Sequence, residues 1–215
     1  MHCLSFIIDC LEKKSTTHNR KLYKSSKFMK LRSFNATHRL LHWSISLCFI
    51  LLLGTALLHI TWFGRNNLAK IIQENLLLWG NQITPGDANI LAKRIAQPMW
   101  NWHFYAGYAL IVLYILRLVH FAFCGMLFPN PFMKNTTLNK KVQGFTYIIF
   151  YILLGITILT GSLMMWGPTK WRWISQIIHY QSHYYAIAFI LMHFGGIIVS
   201  EFYFEKGVIS KMLHS

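Results

Sequence analysis

"IIHYQSHYYAIAFILMH", residues 177–193, sets three histidines in a run that is otherwise almost wholly aromatic or aliphatic. Imidazoles are costly inside a bilayer, so His179, His183 and His193 call for a function. Read as one helix, the fourteen residues from His179 to His193 rise about 21 Å and make nearly four whole turns, leaving the two rings about 40° apart. His183 to His193 is ten residues, about 15 Å, with a mismatch near 80°. The fourteen-residue pair is the better geometry for two sites spaced along one transmembrane helix, which leaves His183 a neighbour.

The rest of the chain supports a membrane setting. Of 215 residues 54% are hydrophobic and 13% charged, against about 25% charged in soluble domains. Four stretches approach the roughly 20 apolar residues a membrane helix needs: Trp43–Phe63, Phe104–Phe123, Phe145–Trp166 and Tyr184–Phe204, the last running through Glu201. The expectation is an all-α membrane protein, a four-transmembrane-helix bundle. The first ten residues hold only a short apolar patch broken by Asp9, which reads as neither a span nor a signal peptide. Residues 1–35 read as a basic, disordered tail, and 36–215 as one helical domain with an outside loop at 64–102.

In a soluble chain a net charge of +15 would suggest nucleic acid. Here its distribution reads as topology, and a nucleic-acid partner is not expected. Nine basic residues fall between Lys13 and Arg39, with Lys134, Lys140, Lys141, Lys206 and Lys211 on the same side. Across the membrane Arg65, Lys70, Lys93, Arg94, Lys170 and Arg172 are partly offset by Glu74 and Asp87. The positive-inside bias places both termini in the cytoplasm, with lipid headgroups as a second contact for the basic side chains. Within the outside loop "NLAKIIQENLLLW" (67–79) reads as an amphipathic piece on the membrane surface, and "TPGD" (84–87) as a turn. The cysteines Cys3, Cys10, Cys48 and Cys124 form no CxxC or CxxCH, which argues against covalently attached haem.

Depth sorts the remaining histidines. His42 opens the first span on the cytoplasmic side and meets His193 there. His103 opens the second on the outside and meets His179. The third span has no histidine. Two sites of two imidazoles each suit six-coordinate haem b, in which the porphyrin supplies four nitrogens and the protein the axial pair. Single histidines at a membrane interface are most simply headgroup contacts, which covers His59, His120, His2, His18 and His214. His38 and His183 are supporting or spare residues. HxxxH occurs at His38/His42 and His179/His183 and is a metal-binding spacing. The two pairs lie on opposite sides, however, and cannot build one di-metal centre.

"HRLLHW" (38–43), "WHFYAGYALIVLYILR" (102–117), "LTGSLMMW" (159–166) and "HFGGIIVSEFYFEKGVISKMLH" (193–214) together resemble the prokaryotic cytochrome b561 superfamily. That superfamily includes the b-type cytochrome subunits of nickel–iron hydrogenases and, more distantly, of formate dehydrogenases. The resemblance implies a four-helix bundle in the bacterial inner membrane holding two non-covalent b haems on His42, His103, His179 and His193. It implies electron transfer across the membrane between the quinone pool and a partner redox protein, with a quinone as a further candidate ligand. Arg117 falls where it would contact a propionate or a quinone, and a snorkelling anchor fits it equally. Gly107, one turn beyond His103, would let a flat macrocycle approach the helix. With both axial positions taken, oxygen or substrate chemistry at the iron is not expected, and no residue reads as catalytic. The chain is then an electron-transfer cytochrome, acting alone as a quinol-dependent oxidoreductase or as the membrane-anchoring subunit of a hydrogenase- or dehydrogenase-type complex. A haem-free transporter or scaffold using the histidines for protons is the third reading.

Overall fold

The computed structural model describes residues 36–124, 130–134, 137–204 and 210. The tail expected over 1–35 lies outside the described residues. Among the described residues every regular element is helical: α1 Ala36–Thr61, α2 Arg65–Leu78, α3 Pro85–Cys124, α4 Leu138–Trp166, α5 Thr169–Tyr180 and α6 Ser182–Val199, followed by a π turn at Ser200–Phe204. Among the described residues four segments are long and apolar enough to cross a membrane: Ala36–Thr61, Pro85–Phe123, Leu138–Trp166 and Thr169–Tyr203. An apolar segment in lipid must satisfy its own backbone N–H and C=O groups, and the α-helix does so within one segment.

Two expectations change. "TPGD" is a helix start as well as a turn. The Thr84 hydroxyl accepts from the Asp87 N–H at 3.2 Å and donates to the Asp87 carboxylate at 2.7 Å. Pro85 takes the first helical position, where its missing N–H costs nothing. From this cap α3 runs 40 residues through Pro98 into the second span, so helix replaces most of the expected loop. The second change lies in 177–193. The chain turns at Gln181 (φ −70°, ψ −11°), so His179 closes α5 while His183 and His193 lie on α6. The dihedrals at Gln181 stay near the helical region, and its N–H still reaches the Ile177 carbonyl at 3.3 Å.

The chain divides into two compact units. The first takes Met1–Leu41, Tyr114–Phe150 and His193–Ser215; the second takes His42–Leu113 and Tyr151–Met192. In the second unit α2 and the start of α3 form a helical hairpin. Ala69, Ala88 and Ala92 are buried at their contact, with Leu68, Ile72 and Ile83 packed around them. Alanines permit this close approach because they carry no bulk beyond Cβ. The α2 end is closed by Gly80 at φ +74°, a left-handed conformation that glycine adopts without a Cβ penalty. The Gly80 N–H reaches the Leu77 carbonyl at 3.0 Å, and the Asn81 N–H reaches that of Leu76 at 2.9 Å. Both are the bonds of a Schellman cap.

Candidate functional site

In the second unit His103 on α3 and His179 on α5 come together, with ring centroids 6.3 Å apart and planes at 81°. Their tautomers follow from their partners. The His179 Nδ1 lies 3.1 Å from the Thr157 carbonyl, which can only accept, so that nitrogen carries the proton. Thr160 Oγ1 stands 3.4 Å away on the same side. The His103 Nδ1 lies 2.8 Å from Thr55 Oγ1. That hydroxyl has one proton and aims it at the carbonyls of Leu52 and Leu51, at 2.8 and 3.0 Å, so it accepts from His103. Both rings are thereby left with an Nε2 lone pair, as a metal-ligating imidazole held by its other nitrogen requires.

Glycine makes room for this arrangement. A Cβ on Gly161 would sit 3.0 Å from His179 Cε1, so the ring occupies the space an alanine would fill. Beside Gly54 and Gly107 there is open space, with nothing within 4 Å of an added Cβ. A b haem fits these residues. Two metal–imidazole bonds of about 2 Å each, with the near half of each ring, span about 6 Å between ring centres. The pair offers two nitrogen donors, and the tetrapyrrole brings the other four.

One helical turn farther toward the C-terminal end of α1 lies a second set of residues. The His59 ring meets Trp100 edge-on at 4.9 Å, and Trp100 meets His103 at 5.5 Å. His59 Nδ1 is buried with no hydrogen-bond partner, and so is the hydroxyl of Ser175, a residue only 1% exposed. A simple headgroup contact does not describe His59. His183 is buried, donates from Nδ1 to the Tyr180 carbonyl and packs on Tyr184 at 3.9 Å. That bond engages His183 with its own helix turn and leaves its Nε2 with a lone pair, as in His179. His42 belongs to this unit and meets Trp43 edge-on at 5.7 Å.

The first unit holds His193, whose ring lies 6.3 Å from that of Tyr147. It also holds a buried group that sequence reasoning only half found. Arg117 is 5% exposed, and its Nη1 lies 2.8 Å from the His38 Nδ1. A guanidinium only donates, so that nitrogen accepts and the His38 proton sits on Nε2. His120 is buried with its ring 6.5 Å from that of His38, and the Arg117 guanidinium covers Phe121 at 4.7 Å. Arg117 is therefore turned into protein, with His120 buried beside the same group. The signal was available as a three-residue interval: Arg117 and His120 share one helix face. It pointed to no partner until the fold supplied His38.

A family model described as prokaryotic cytochrome b561 matches residues 33–215. Comparisons with curated proteins and with solved structures give no match.

Proposed function

The chain belongs to the prokaryotic cytochrome b561 family, and from that premise we propose a di-haem b-type cytochrome moving electrons between the quinone pool and a redox partner. Family membership implies a b-type cytochrome and electron transfer; the haem count, the ligands and the quinone are our reading. The observation that carries it is the His103–His179 pair, 6.3 Å apart with each Nδ1 engaged. Thr55 and the Thr157 carbonyl hold the two rings in the tautomer that leaves Nε2 for iron. Gly161 admits the His179 ring, and the space beside Gly107 and Gly54 suits a flat macrocycle. The second haem is assigned to His42 and His193 from the sequence alone: His42 lies at the start of the first apolar span, and His193 follows His179 by fourteen residues toward the side expected to be cytoplasmic. When bound, haem supplies the one-electron couple, and the protein sets its potential through ligands and surrounding hydrogen bonds.

Both termini are proposed to face the cytoplasm of a bacterium, from the basic residues of 13–39. The deciding experiment is a haem count with redox titration on purified wild type, His179→Ala and His183→Ala. Wild type should carry two b haems per chain. His179→Ala should lose one, and His183→Ala should keep both. Loss from His183→Ala alone would overturn the ligand choice. A wild-type preparation with no reduced b-type absorption band would favour a haem-free transporter or scaffold.

A second reading, the anchoring subunit of a larger complex, is favoured by the tip of the α2–α3 hairpin. Leu77, Leu78 and Trp79 are all strongly exposed there. A stable co-purifying partner carrying iron–sulfur or nickel would decide for it.

A further inference from the structure

The two orphaned polar atoms of the second unit share a level. His59 follows Thr55 by one helical turn on α1, and Thr55 holds His103. Trp100 precedes His103 by one turn on α3 and meets His59. The contacts pair Thr55 with His103 and His59 with Trp100, so α3 runs against α1. The α5–α6 segment does likewise. His179 lies beside the His103 that Thr55 holds, and the later Phe189 meets the earlier Phe49, with ring centroids 6.4 Å apart. Ser175, one turn before His179 and on the same face, is therefore displaced from the ligand level in the same direction as His59. The side chain is fully enclosed, so its hydroxyl points into protein rather than toward lipid or water.

A buried hydroxyl or imidazole nitrogen left without a partner forfeits its hydration with nothing in return, and such groups are rare in folded proteins. Two of them, one turn beyond a pair of imidazoles and on the same side, mark where a polar group belongs. The haem proposed for this pair carries such groups: two propionate carboxylates, each an acceptor that a hydroxyl or an imidazole N–H can serve. Resting on that haem reading, we infer that Ser175 Oγ and His59 Nδ1 are the hydrogen-bond donors for the propionates of the haem held by His103 and His179. They act as positioning residues that fix the rotation of the macrocycle about its axis and raise its potential. Donors that neutralise carboxylate charge disfavour the extra positive charge of ferric iron, so their removal favours the oxidised form.

The test uses the full-length, haem-bound protein with Ser175→Ala and His59→Phe, and with Ser175→Thr and His59→Gln as variants that keep a donor. Redox titration should show one haem moving to lower potential in Ser175→Ala and in His59→Phe. The expected change in its ferric–ferrous equilibrium is up to tenfold, about 59 mV for a one-electron couple. It should be the haem that His179→Ala loses, and the Thr and Gln variants should restore its potential. Outright loss of that haem in Ser175→Ala, with retention in Ser175→Thr, is the same result at larger amplitude. Thermal melts add a sign test. In haem-depleted protein Ser175→Ala removes an orphan and should leave stability equal or higher, whereas in haem-bound protein it should lower it. Unchanged potentials in both donor-deleting variants overturn the inference, as does an equal loss of stability with and without haem. Wild type without a b-type band would instead sink the haem reading on which the inference rests.

Discussion

His179, the proposed ligand, illustrates how much of such a residue's chemistry is decided by atoms that are not side chains. Its proton is held on Nδ1 by a backbone carbonyl, that of Thr157, which no substitution at position 157 removes directly. What a substitution can change is the room for the ring. Gly161→Ala places a methyl 3.0 Å from Cε1, closer than an unstrained contact, and the ring must give by a few tenths of an ångström. The expected outcome is a loss of about 10–100-fold in affinity for one haem, the scale seen when the support of a metal-bound histidine is disturbed. The haem-to-protein ratio after dilution measures it. Thr55→Val removes the acceptor for the His103 N–H and leaves a buried donor unpaired, at a cost of about 1–3 kcal/mol. That variant should release the same haem faster than wild type in a haem-transfer assay, and an unchanged rate would count against the assigned tautomer. The fourteen-residue interval from His179 to His193 and the place of His103 at the head of a span were legible in the sequence. The roles of Thr55, Thr157 and Gly161 were not, because a hydroxyl or glycine in an apolar helix is common and its meaning depends on which ring lies opposite.

Among the elements, the hairpin of α2 and α3 departs most from what the sequence suggested. An amphipathic run and a turn signal were visible. That the turn is also a capped helix start, and that helix then continues into the membrane span, was not, because Pro98 in mid-run argues locally against continuity. The cap gives a clear expectation. Thr84→Ala removes the acceptor for the Asp87 N–H and should cost about 1 kcal/mol, seen as faster amide hydrogen exchange over residues 65–97. Ala88→Leu forces a large side chain into a contact where Ala88 has no exposed surface, and overpacking of that kind costs about 1–3 kcal/mol. In both variants the reduced haem spectrum should stay that of wild type, since no residue proposed to touch haem lies in the hairpin. A spectral change would show that hairpin and haem site are coupled. The break at Gln181 is the other element-scale finding. Apolar periodicity runs straight through 177–193, and a one-residue turn whose dihedrals stay near helical leaves no mark on it.

For the molecule as a whole, the strongest expectation concerns what haem does to stability. A group that binds only the folded chain stabilises it by mass action, about 2.7 kcal/mol at a hundredfold excess over its Kd. Depletion of haem should therefore lower the thermal midpoint, and readdition of haem should restore it in wild type but only in part in His179→Ala. The proposed orientation is checked separately. Cysteines introduced at Lys141 and at Lys70 should react with an impermeant maleimide from the cytoplasmic and the outer side respectively, and the reverse pattern would invert the topology.

Length and apolarity of four segments, the absence of a CxxCH, and the intervals among His42, His103, His179 and His193 were fixed by the chain alone. Each depends only on composition or on counting along the chain, which needs no knowledge of neighbours. The proton positions on His103 and His179, the burial of His38 with Arg117 and His120, and the orphaned Ser175 and His59 were decided by tertiary structure. They are relations between residues tens of positions apart, and only packing determines which donor meets which acceptor.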